Sequence, residues 1–180
     1  VATRATGKEA LADLADLTVV VGHPSGNADY RTRCVSVPQH TNRVTALRAG
    51  QRIASVAKQE LPNYQVFDEL RYFAPGTEPC VVDVEGVRIG LLVCEDAWFD
   101  APAEAAVAVG AQVLAIMNAS PYHMGKARDR EKRQSALSQK VKAPIIYAHM
   151  VGGHDEVVFD GGSFAMQADG TLAGRASSFV

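Results

Sequence analysis

Long hydrophobic runs, clustered cysteines and a strong charge of either sign are all missing from this 180-residue chain. No apolar stretch approaches the roughly 20 residues that a membrane-spanning helix needs. No basic segment followed by an apolar one opens the sequence, so neither a membrane nor a secreted protein is expected. The three cysteines, Cys34, Cys80 and Cys94, fit no even disulfide framework, and no C-x-x-C pair or histidine cluster accompanies them. A reducing, cytoplasmic setting without a metal site is the expectation. A net charge of -2 offers no basic surface for nucleic acid, and the run "KARDREKR" reads as a solvated helix face. Methionine is also late: the chain opens on Val1 and its first methionine is Met117, so a fragment or processed piece is expected. What is present, 47% hydrophobic and 21% charged residues, is the composition of a globular domain with a sizeable core.

Residue patterning predicts alternating strands and helices. Leu11, Leu14 and Ala15 in "GKEALADLADL" (7–17) have the spacing of a helix covering a core. "TVVVGHP" (18–24) reads as a buried strand, and the polar stretch between Ser25 and Asn42 as a surface loop or hairpin. "RVTALRAGQRIASVAKQ" (43–59) predicts a β-hairpin turning at Ala49-Gly50, which delivers Lys58 at its exit. A second hairpin, turning at Glu85-Gly86, leads into "RIGLLV" (88–93), apolar enough to be buried on both faces. Further on, "PAEAAVAVGA" predicts a helix ended by Gly110, "QVLAIMNAS" a buried strand, "KARDREKRQSALSQKVK" an amphipathic helix and "APIIYAHMV" another strand. The close, "FDGGSFAMQADGTLAGRA", predicts a β-meander with its turn at Asp169-Gly170. The alternation argues for a layered α/β domain, and without repeats or linkers residues 1–180 read as one domain.

The chemistry centres on "GLLVCEDAWF" (90–99). A cysteine at the carboxyl end of a buried strand sits where α/β folds place ligands, with backbone N–H groups following it. Taken alone, Cys94 reads more readily as a packed small hydrophobe, the more frequent fate of such a residue. Its acidic neighbours Glu95 and Asp96 would raise the thiol pKa, so a thiolate needs a compensating cation, for which Lys58 is the candidate. Between them lies "KQELPNYQVFDELRYFAPG", whose Tyr64, Phe67, Tyr72 and Phe73 suit either a pocket wall or a satellite apolar cluster under a loop. Cys34 and Cys80 read as packing residues.

In order and spacing, "KQELPNYQVFDELRYFAPG", "GLLVCEDAWF", "NASPYHMGK" and "VGGHDEVVFDGGS" resemble the nitrilase (carbon–nitrogen hydrolase) superfamily. Within it they are similar to the glutaminase domains of bacterial glutamine-dependent NAD+ synthetases, from about Leu17 to the end. The resemblance implies a four-layer α-β-β-α sandwich, incomplete at its N-terminus. It further implies hydrolysis of L-glutamine through a thioester on Cys94, with Lys58 stabilising the oxyanion and Glu69 supporting the lysine. Tyr64, Ser120 and Lys126 fall at positions that contact glutamine, Lys126 standing where some relatives carry an arginine and so lacking its bidentate fork. No cofactor is implied for this domain. ATP and Mg2+ belong to a separate synthetase domain of the parent chain, the implied partner, and the intact parent is expected to be a homo-oligomer.

Two features depart from the family pattern. The general-base glutamate is expected upstream of "TVVVG", where Glu9 lies in the following helix and is no substitute, so this polypeptide alone is expected to be inactive or nearly so. The segment Arg33–His40 sits where relatives pass quickly into the hairpin. The alternatives to the glutaminase are therefore another nitrilase-superfamily amidase, or a catalytically inactive piece acting as a scaffold. "GGSF" (161–164) does not open a helix in the predicted pattern and is no phosphate-binding loop.

Overall fold

The computed structural model describes residues 16–26 and 40–180. Strands β1 (Thr18–Gly26), β2 (His40–Arg48) and β3 (Gln51–Ala57) form one antiparallel sheet in that order. β1 pairs with β2 over its whole length, from Thr18↔Arg48 to Gly26↔His40, so Ser25, Gly26 and His40–Asn42 are paired strand, in keeping with the hairpin of the two expected alternatives. The β2–β3 turn falls at Ala49-Gly50, with φ of 48° and 71°. Two successive positive φ angles are the geometry that matches the right-handed twist of the flanking strands.

A short helix α1 (Glu69–Tyr72) follows, then β4 (Val81–Val84) and β5 (Val87–Val93), turning at Glu85-Gly86 with φ of 54° and 83°. A 3-10 turn (Cys94–Trp98) leads into α2 (Asp100–Ala108), which stops before Gly110 at φ 97°. Next come β6 (Val113–Asn118), α3 (Lys126–Val141) and β7 (Ile145–His149), then the hairpin β8 (Val151–His154) and β9 (Val157–Asp160), and last β10 (Phe164–Met166) and β11 (Leu172–Arg175). The second sheet has the order β11-β10-β7-β6-β5-β4, with β5, β6 and β7 parallel at its centre. These three strands carry the apolar runs because both of their faces are covered.

The two faces have separate cores. On one, Leu92, Leu114, Ile116, Ile145, Tyr147 and Phe164 pack under Ala103 and Ala106 of α2 and Leu137 and Val141 of α3. On the other, Leu91, Val93 and Ala115 meet Val44, Ala46 and Val56 of the three-stranded sheet. Burying apolar side chains at about 25 cal/mol per Å2 on both faces is what fixes this layering. The described residues thus form helix, sheet and sheet layers of an α-β-β-α sandwich. The expected helix of 7–17 lies outside them except for Asp16 and Leu17, which are not helical, and Cys34 with most of Arg33–His40 lies outside them too.

Two expectations are corrected. The end of the chain is not one meander: Phe159 and Asp160 belong to the separate β8–β9 hairpin, and only β10 and β11 continue the large sheet. The aromatic segment after Lys58 also contains a helical turn, α1, which starts at Glu69.

Candidate active site

Cys94 is the first residue beyond β5. Val93 is still extended at φ −122°, whereas Cys94 turns to φ 47°. That left-handed conformation costs a non-glycine residue on the order of 1 kcal/mol and is found where the surrounding structure enforces it. The parallel register sets Val93 beside Met117 and Asn118 beside His149. The ends of the three central strands therefore lie in one row, with the Cys94 turn, the "NASP" loop and the β7 exit side by side.

Lys58 approaches from the other sheet. It leaves β3 with its N–H donating to the carbonyl of Asn42 (2.8 Å) and its own carbonyl accepting from Gly76 (2.8 Å). Its side chain is 2% exposed, and its Nζ donates to Oε1 of Glu69 at 2.7 Å. Asn42 Nδ2 donates to the other oxygen of the same carboxylate at 3.4 Å. A buried ammonium needs such a partner, since an unpaired one would be neutralised. Glu69, the first residue of α1, is delivered to it by the helical turn.

The charges around the thiol oppose each other. Burial pushes the Cys94 pKa up, the Lys58 ammonium draws it back, and Glu95 and Glu69 add to the rise. The N–H of Ala119, just beyond β6, favours the thiolate. Lys58 therefore acts on the thiol in the direction opposite to burial and to Glu95. Among the described residues no carboxylate is hydrogen-bonded to the Cys94 sulfur.

The other expected residues lie around this core with distinct contacts. Tyr64 donates its phenol to Oε1 of Glu95 at 2.7 Å and meets Phe67 edge to face. Burial and the Glu95 carboxylate both hold that phenol protonated. Lys126, the first residue of α3, has its Nζ 4.3 Å from the centre of the Trp98 ring, a cation–π contact. Ser120 is buried through its backbone: its N–H donates to Nε2 of His149 (3.2 Å), and its carbonyl accepts from Arg130 (2.9 Å). Arg130 in turn pairs with Asp160 at 2.7 Å, both side chains almost fully buried, which ties α3, β9 and the Ser120 loop together. Cys80 packs at the margin of the inter-sheet core, as expected.

The sequence marks Glu95 and Asp96 only as acidic neighbours of the thiol; their separate partners, and the contact of Trp98 with Lys126, come from the structure. The signal was their position directly after Cys94, on a tight 3-10 turn that sends successive side chains in different directions. Glu95 faces Tyr64, while Asp96 turns inward and is 2% exposed.

Two sheets packed face to face, helices over the outer face of the larger one and a cysteine turn at the end of a central parallel strand are the arrangement of a nitrilase-type sandwich. The family model for carbon–nitrogen hydrolases matches residues 9–180, and the chain belongs to that family. It is 43% identical over 141 residues to the glutamine-dependent NAD(+) synthetase of Xanthomonas campestris pv. campestris, covering 77% of this chain and 26% of the relative. The Aquifex aeolicus glutamine-dependent NAD(+) synthetase is 37% identical over 139 residues, covering 77% and 24%. The structure of glutamine-dependent NAD+ synthetase from Acinetobacter baumannii in complex with ADP superposes with a TM-score of 0.87 at 31% identity, covering 97% of this chain and 32% of that one. An amidase from Nesterenkonia sp. shares the fold, with a TM-score of 0.81 at 24% identity over 98% and 62% of the two chains. The chain spans about a quarter of the length of the curated relatives it matches.

Proposed function

We propose that this chain hydrolyses the side-chain amide of L-glutamine through a thioester on Cys94. In the intact protein the released ammonia would serve a synthetase domain of the same chain, which converts deamido-NAD+ to NAD+ with ATP and Mg2+. The observation that carries the reading is the buried Lys58–Glu69 pair, 2.7 Å apart, whose positive end acts on the thiol of a strongly turned strand-end cysteine. The 43% identity to a glutamine-dependent NAD(+) synthetase supports glutamine as the amide.

In this reading the Cys94 sulfur attacks the carboxamide carbon as its proton leaves, and the carbonyl electron pair moves onto oxygen. Lys58 faces that oxyanion, a cation serving first the thiolate and then the developing charge. Collapse breaks the C–N bond, the nitrogen takes a proton and ammonia departs. Water then attacks the thioester, giving glutamate and restoring the thiol. The proton acceptor in this reading is a carboxylate from outside the described residues, the upstream general-base glutamate that the family resemblance implies. Glu69 is not that base, because its Oε1 is committed to Lys58.

The substrate's amino-acid end carries both signs of charge, and the site offers both. Glu95 is held by Tyr64 and suits the ammonium group, while Lys126 beside Trp98 and the Ser120 loop suit the carboxylate. Nucleotide binding is assigned to the synthetase domain, not here: Gly161 and Gly162 take positive φ and lead into strand β10, with no helix N-terminus to receive a phosphate. The test is ammonia release from L-glutamine, asparagine and simple aliphatic amides by the intact natural protein. Release that prefers glutamine and vanishes in Cys94→Ala is the expected outcome; preference for a simple amide would make the protein a different amidase.

A further inference from the structure

Asp96 is a buried carboxylate with three backbone donors drawn from two distant parts of the chain. Its Oδ1 accepts from the N–H groups of Gln59 (2.9 Å) and Glu60 (2.8 Å), directly after Lys58. Its Oδ2 accepts from the N–H of Val93 (3.0 Å), directly before Cys94. One rigid group thus holds the residue next to the cation and the residue next to the thiol. Among the described residues, Gln59 and Glu60 have no other hydrogen bond to the cysteine turn. We propose that Asp96 is a positioning residue whose carboxylate fixes the separation of the Lys58 ammonium and the Cys94 sulfur, and with it the degree to which Lys58 activates the thiol.

The chemistry requires a carboxylate. Three N–H groups converging on two oxygens need acceptors on both, and an asparagine would turn its NH2 against either Val93 or the Gln59–Glu60 pair. A merely electrostatic role has the opposite signature. The negative charge of Asp96 by itself disfavours a nearby thiolate, so removing it would lower the thiol pKa, whereas releasing Lys58 from its place would raise it. The proposal rests on Cys94 and Lys58 as the working pair but not on glutamine as the substrate, so it is read from the thiol without turnover.

The experiment follows alkylation of the Cys94 peptide by iodoacetamide across neutral and alkaline pH, by mass spectrometry, in the intact natural protein. Wild type is compared with Asp96→Asn, Asp96→Glu, Lys58→Met and the Lys58→Met/Asp96→Asn double variant, each checked for native fold by near-ultraviolet circular dichroism. Both Asp96 variants are expected to move the profile to higher pH by about one unit, which is about tenfold slower labelling near neutrality. In the Lys58→Met background Asp96→Asn is expected to add nothing, because the two act through one separation. Unchanged or faster labelling in Asp96→Asn overturns the proposal, and so does additivity with Lys58→Met. Loss of fold in both Asp96 variants also overturns it, making Asp96 a residue of the fold alone.

Discussion

Burial and a single cation set the state of Cys94 between them. Because Lys58 is the principal influence favouring the thiolate, Lys58→Met is expected to slow alkylation of Cys94 near neutral pH by about tenfold or more, measured peptide by peptide. Asp96 shows the same contest in a carboxylic acid. Burial pushes its pKa up to about 6, against the pull of its three N–H donors and Lys58. Between about pH 4 and 6 the folded chain therefore holds a proton that the unfolded chain has lost, and the Asp96 contribution to stability falls as pH rises through that window. The unfolding free energy of wild type minus that of Asp96→Asn, from denaturant titrations at several pH values, is expected to decline across it by on the order of 2–3 kcal/mol. While the roles given to Cys94 and Lys58 came from the family resemblance, their places, at the end of an apolar strand and of a hairpin, were legible in the sequence. The inward turn of Asp96 was not, since its partners lie 36 and 37 residues away and "CED" does not say which carboxylate faces the core.

The elements hold the site through close approach as much as through charge. At Gly90 an added methyl would lie 2.9 Å from both Ala111 Cβ and Leu114 Cδ2 and 3.1 Å from Ala106 Cβ. Gly90→Ala is therefore expected to push α2 off β5 and to lower stability by about 1–3 kcal/mol in denaturant unfolding. The Arg130–Asp160 pair secures the other side, and Arg130→Met, which strands a buried carboxylate, is expected to cost about 3–5 kcal/mol. Hairpins β2–β3 and β4–β5 were readable because Ala49-Gly50 and Glu85-Gly86 pair alternating apolar strands with a turn needing positive φ. The β8–β9 hairpin was not, because "VGGH" and "VVFD" are only four residues each, the first exposed throughout and the second buried only at Phe159 and Asp160, and neither shows an alternation that marks a face. Helix α1 was missed for a related reason: four residues with no buried side chain give no period, and the turn exists to present Glu69 to Lys58.

At the scale of the molecule, the site belongs to both sheets. Cys94 is supplied by the six-stranded sheet and Lys58 by the three-stranded one, so the packing of Val44, Ala46 and Val56 against Leu91, Val93 and Ala115 sets where cation meets thiol. The alternation of elements made a layered α/β domain legible and the resemblance implied the α-β-β-α order, whereas the meeting of the two sheets at one point depends on contacts distant in sequence. On the proposed function this meeting makes Cys94, and not Cys80 at the margin of the same core, the nucleophile. The most direct test is residue-resolved mass spectrometry after brief exposure of the intact natural protein to a glutamine-like electrophile, with and without competing L-glutamine. Modification confined to Cys94, suppressed by glutamine and slowed in Lys58→Met, is the result predicted. Equal modification of Cys94 and Cys80, indifferent to glutamine, would contradict it.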